Sequence, residues 1–195
     1  MVEQLVDRRR RWRATCEIYR QERATAWIKP EGRSMRPLIG SGAWALVEFG
    51  AWPAGVGEIV LFGRGDLVIA HRLVAWRPGP SGIVAKGDAE AYCDAPLDLN
   101  DILGVVRVLR RGPDGPATSV GCAGRPARAI ARVSWWGGRG ATLARRAALF
   151  LPAPLRQIAR SAIPPLARVA AQALLAPFSL AARIQAVPIH GDERR

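Results

Sequence analysis

Between Trp44 and Leu109 the chain passes through five short apolar segments, WALVEF, EIVLF, LVIAHRLVAW, GIVAK and ILGVVRVL, separated by Gly, Pro, Asp and Ser. β-Branched and aromatic side chains suit a pleated surface, and the intervening residues are turn formers. No helical period of apolar residues interrupts the series, which predicts an antiparallel sheet that closes or folds over on itself. The expected fold is therefore mainly β, a folded-over or barrel-like antiparallel core with helices added at both ends. With 195 residues, 49% of them apolar and 7 of them Trp, the chain can bury one good core, which excludes wholesale disorder despite 20 Gly and 15 Pro.

The net charge of +13 is unevenly spread. Residues 1–30 carry 8 basic and 4 acidic residues, 31–109 carry 7 and 9, and 110–195 carry 14 and 3. Three regions follow: an N-terminal amphipathic helix over 1–30, a mildly acidic β domain over 31–112, and a basic helical region over 113–195, interrupted by proline. In the first, Val2, Leu5, Val6, Trp12, Cys16 and Tyr19 recur at helical spacing, which predicts a helix from residue 2 to about residue 23 with Arg8–Arg11 on its wet face.

No acidic residue lies between Asp114 and Asp192, while arginines from Arg125 to Arg183 are spread among Ala, Leu, Ile and Val. The composition predicts helices broken at Pro152, Pro154, Pro164, Pro165 and Pro177. Two readings of their surface stand side by side. The helices pack an apolar face on the core and solvate their arginines, or they rest on an anionic membrane surface, for which Trp135 and Trp136 are well suited. Nucleic acid is the less favoured partner.

The opening MVEQLVDRRRRWR has no apolar run of the kind a secretory signal needs. The longest uncharged lipid-like stretch, Val169 to Ala182, has 14 residues and contains Pro177, short of the roughly 18 to 20 that cross a bilayer. No transmembrane helix is expected, and the chain is placed in the cytoplasm or peripherally on a membrane. Cys16, Cys93 and Cys122 are odd in number and lack CxxC spacing, and His71 and His190 are the only histidines. Neither a disulfide framework nor a metal site is expected, and no cofactor.

Three segments hold polar residues that a β core does not need: GRSMRPLI (32–39), AHRLVAW (70–76) and KGDAEAYCD (86–94). Taken singly, Ser34 reads as a turn or N-cap serine, His71 as a core histidine and Asp88 as an Asx-turn residue. In order, however, G-x-S-M-x-P, G-E-I-V-L-F, H-R-L-V and K-G-D with a further Asp six residues on, the set resembles the type I signal peptidase family, in particular its Ser-His branch from archaea and the endoplasmic reticulum. The similarity covers about residues 31–109.

That resemblance implies a serine endopeptidase cleaving leader-bearing or signal-like peptides after small residues. Ser34 would be the nucleophile, His71 the general base and Asp94 the carboxylate that orients the imidazole, with Asp88 as the competing candidate. Gly32, Met35 and Lys86 would support the site. In Ser-Lys relatives the dyad lysine stands where His71 stands here, so neither Lys86 nor Lys29 fits that role. Gly32 also replaces a hydroxyl residue that often helps the oxyanion hole, leaving the task to the Ser34 N–H and other backbone donors. The membrane anchor usual in the family is not evident. Two alternatives stay open: an inactive peptide- or membrane-binding module on the same fold, and a repressor-like autoprotease.

Overall fold

The computed structural model describes residues 2–184 apart from 54, 78, 80, 120, 121 and 123; the side chains of Val2, Ala153, Arg160, Ala171, Gln172 and 174–184 are not described. His190 lies outside the described residues. Helix α1 (Val2–Glu22) is followed by strands β1 (Thr25–Ile28), β2 (Ala43–Phe49), β3 (Ile59–Arg64), β4 (Leu67–Trp76), β5 (Ile83–Lys86), β6 (Ile102–Arg111) and β7 (Ala117–Thr118), then by helices α2 (Gly124–Ala147) and α3 (Ala153–Ile184). Each of the five expected segments is a strand. β1 and β7 are additions, and β1 lies in the stretch read as helical because four residues carry no period.

All pairings are antiparallel, in the order β1-β2-β6-β3-β4-β5, with β7 on β6. The sheet does not close by hydrogen bonding between β1 and β5. The loop after β5 covers that edge instead: Leu97 N–H donates to the Ile83 carbonyl at 2.9 Å and Asp94 N–H to the Ala85 carbonyl at 2.9 Å.

Side-chain alternation along β3 shows how the layers form. Ile59 and Leu61 join a cluster with Cys16, Met35, Val47, Phe49, Leu103 and Val106, whereas Val60 and Phe62 join one with Leu73, Ile83, Ala85, Leu97 and Ile102. The strand is thus buried on both faces, as in a folded-over sheet. A third cluster, Val74, Val84 and Ala131 with Trp135 and Cys93 beside it, seats α2 on β4 and β5.

The expectation of a mainly β fold is corrected. The protein is mixed, with 42% helix against 27% strand. The excess is in α3, which runs for 32 residues through Pro164, Pro165 and Pro177 where breaks were expected. An interior proline removes one donor and pushes on the carbonyl four residues back, yet here the helix continues past each of them. Pro152 does separate α2 from α3, and Pro154 sits in the first turn, where its missing N–H is no loss.

Helix α1 buries apolar side chains by its second half, while its first half is tied by the surface ion pair of Arg10 with Asp66 at 3.2 Å. Cys16 is fully buried and Tyr19 meets the Phe49 ring edge-on at 5.2 Å, but Leu5 and Trp12 of the expected apolar face are exposed. No helix among the described residues is long and apolar enough to cross a membrane.

Burial raises the thiols of Cys16 and Cys122 from the usual 9.0 to about 12. Unfolded thiols ionise from pH 9 while the folded ones keep their protons, so the folded state binds more protons above that point and loses stability as pH rises towards 12. A Cys16→Ala/Cys122→Ala variant is expected to show a flatter decline of its urea midpoint with pH in this window than the parent chain.

Candidate active site

Strand β4 carries His71 and Arg72 side by side, and consecutive strand residues point to opposite faces. The loop after β5 supplies one carboxylate to each. His71 Nδ1 lies 2.7 Å from Asp94 Oδ2. An ionised carboxylate only accepts, so Nδ1–H is the donor and the neutral ring keeps a lone pair on Nε2. The ring is buried and stands edge-on to Phe62, with centroids 6.0 Å apart. Asp94 is held by its own N–H on Ala85 and is approached by the Arg64 guanidinium, 4.0 Å from Oδ1, which also donates to the Ala95 carbonyl at 2.9 Å.

Asp88 is committed elsewhere. Arg72 donates through Nε to Oδ1 at 2.8 Å and through Nη2 to Oδ2 at 2.7 Å, and its Nη1 reaches the Gly57 carbonyl at 2.7 Å. Arg72 is 0% and Asp88 1% exposed. This bidentate pair anchors the start of the loop whose far end carries Asp94. Of the two carboxylates weighed in the sequence, Asp94 therefore meets the imidazole and Asp88 meets the guanidinium.

Ser34 lies in the turn between β1 and β2, half-buried, with Met35 and Ile39 after it packed into the core. Its carbonyl accepts from the Ala89 N–H at 2.7 Å, which ties the turn to the loop after β5. Gly87 is the point of closest approach: a Cβ there would stand 2.7 Å from the Ser34 carbonyl oxygen and 2.9 Å from His71 Nε2. The serine turn and the lone-pair side of the imidazole thus meet across a residue without a side chain. Among the described contacts, Ser34 Oγ does not hydrogen-bond to the ring.

Gly32 has φ +111, so it makes a turn that other residues resist. Lys86 is 1% exposed and its ammonium donates to Ser134 Oγ on α2 at 3.0 Å and to the Gly87 carbonyl at 3.2 Å. Desolvation lowers its pKa below the usual lysine value, opposed by the charge of Asp88. Lys86 thereby fastens the site loop to α2. Lys29 is exposed on the turn before the serine.

Several contributors went unnoticed in the sequence. α2 reaches the loop through Ser134 and through Gly138, where a Cβ would press on Cys93 Sγ at 3.0 Å and Lys86 Cδ at 3.2 Å. α3 reaches it through Arg168, 3.2 Å from Glu90. No local pattern announces such partners, because they lie some 48 and 78 positions away in the chain. The Arg72–Asp88 pair had a visible cue in the adjacent H-R and the K-G-D turn. A hollow of about 220 Å³ at Arg20, Arg23, Trp52 and Ile102 contains none of the candidate catalytic residues. Among the described residues, no group of three or more His, Cys, Asp or Glu is placed to hold a metal ion.

Comparison of the chain with protein-family models, with curated proteins and with solved structures gave no match. The functional reading rests on the site's own geometry and on the order of its motifs.

Arg72→Met leaves Asp88 buried without its partner and is expected to cost about 3–5 kcal/mol, read as a lower urea midpoint. The double variant Arg72→Met/Asp88→Leu is expected to recover most of that loss, since it removes both charges.

Proposed function

We propose that the protein is a serine endopeptidase of signal-peptidase type, built on a signal-peptidase-like β core, with Ser34 as nucleophile, His71 as general base and Asp94 as the group that orients the base. The observation that carries this reading is the 2.7 Å contact between His71 Nδ1 and Asp94 Oδ2, with the opposite ring nitrogen turned to the serine turn across Gly87.

The chemistry follows from the groups. As Ser34 Oγ bonds to the scissile carbonyl carbon, Nε2 takes the hydroxyl proton, and the imidazolium that forms is stabilised by the Asp94 carboxylate. The negative charge on the former carbonyl oxygen falls to backbone donors, the Ser34 N–H among them. Nε2–H then protonates the leaving amine as the C–N bond breaks. A water, deprotonated by the same nitrogen, hydrolyses the acyl-enzyme. The substrate class, an extended leader or signal-like peptide with small residues before the cut, comes from the motif resemblance.

A second reading has one observation in its favour: Ser34 Oγ is not bonded to the imidazole. In that reading the same fold binds peptides without cutting them. Hydrogen bonds of this kind often form only with substrate in place, so a functional assay separates the two.

Incubation with a panel of peptides bearing Ala-x-Ala sites is expected to give cleavage that is lost in Ser34→Ala and in His71→Ala. Asp94→Asn is expected to lower kcat by about 10³–10⁴-fold with little change in KM. Gly87→Val, which wedges the serine turn from the ring, is expected to lose activity while keeping its far-ultraviolet circular dichroism. Peptide binding with no cleavage by any form would leave the binding module as the reading.

A further inference from the structure

Helix α3 turns an apolar stripe away from the protein. Leu155, Ile158, Leu166 and Val169 recur at helical spacing, and each is at least half exposed. At the corner between α2 and α3, Leu149 and Leu151 are exposed and Phe150 is 91% exposed. A stripe of this length preceded by a bare phenylalanine is more apolar surface than an element in water ordinarily leaves uncovered.

The charges that α2 and α3 themselves carry around the stripe are of one sign. Exposed Arg145 and Arg146 precede the corner, Arg156 and Arg168 belong to α3 itself, and no carboxylate occurs between Asp114 and Asp192. This decides among occupants. A second copy meeting this hairpin face to face would set arginine against arginine, with Glu90, already paired to Arg168, as the carboxylate nearest the stripe. A nucleic acid backbone would satisfy the arginines and leave Phe150, Ile158 and Leu166 without apolar contact. An anionic bilayer satisfies both, since aliphatic and aromatic side chains enter the acyl boundary while guanidinium groups reach the headgroup phosphates.

We propose that the α2–α3 hairpin is a monotopic membrane-docking element that rests the α3 stripe and the Phe150 corner in the interface of an anionic lipid bilayer. The uncharged sequence from Val169 to Ala182 extends the same helix and lengthens its apolar part. The ion pair between Arg168 and Glu90 ties this helix to the loop that carries Asp94, so docking brings the site loop to the bilayer. The inference stands on exposure and charge and is independent of the peptidase reading.

The test is flotation of the full chain with vesicles of phosphatidylcholine alone or mixed with phosphatidylglycerol. The expected result is flotation with the mixed vesicles, weakened by added salt, and little with phosphatidylcholine alone. Ile158→Asp/Leu166→Asp is expected to weaken partitioning at least about tenfold, with unchanged circular dichroism because both positions are exposed. Phe150→Ser, at the 91% exposed corner, is expected to weaken it several-fold and provides a variant with no packing to lose. The proposal is overturned if the chain stays unbound with the mixed vesicles, or if both variants float as the parent does. It is equally overturned if the parent is a dimer in light scattering that the double variant dissolves, or if duplex DNA displaces the vesicles.

Discussion

A guanidinium with no exposed surface must be neutralised where it stands, and Arg72 is neutralised by Asp88 from the loop that follows β5. The geometry is bidentate, so it fixes the loop's direction as well as its distance. From that anchor the chain passes Glu90 and returns to β5, where Asp94 is pinned by its own N–H and meets His71. Breaking the anchor would leave a buried charge, which costs far more than a surface ion pair. The candidate site is therefore a consequence of a buried pair on the opposite face of the same strand.

The neighbouring elements hold the loop from other directions. The Ala89 N–H takes the Ser34 carbonyl, Lys86 and Gly138 fix the loop to α2, and Glu90 meets Arg168 of α3. The serine turn, two strands and two helices converge on a dozen residues of irregular backbone. Loops with so many independent constraints keep side chains in place without secondary structure of their own, as a site for chemistry requires. Gly87 sits where these constraints are tightest, and its lack of a side chain is what lets the serine turn and the imidazole approach.

The helical hairpin has two faces of different kinds. Its buried face, Ala127, Ile130, Ala131, Ser134, Gly138 and Ala141, is small but for Ile130, and Ala131 packs on Val74 and Val84 of the sheet. Its outer surface carries arginines and large apolar residues together. Small inward residues bring α2 near enough for Ser134 to reach Lys86, and the outward ones are exposed.

Much of this was legible in the residue order. The five strands between Trp44 and Leu109 follow from β-branched runs and turn residues, which are local properties. The N-terminal helix follows from its period, and the candidate triad from the resemblance that the ordered motifs carry, of which the structure brings His71 and Asp94 into contact. What the linear order left open was which aspartate meets which base, because Asp88 and Asp94 are both within reach of β4 and only the wrap of the loop around the strand assigns them. It also concealed the continuity of α3 through its prolines, since a local rule marks each as a stop while the exposed helix carries on. The open path of the sheet, the buried Lys86–Ser134 contact and the outward apolar stripe of α3 likewise belong to the tertiary structure. Local propensity and pattern depend on neighbours a few residues apart, whereas burial, charge pairing and the meeting of loop ends depend on which distant segments share the same space.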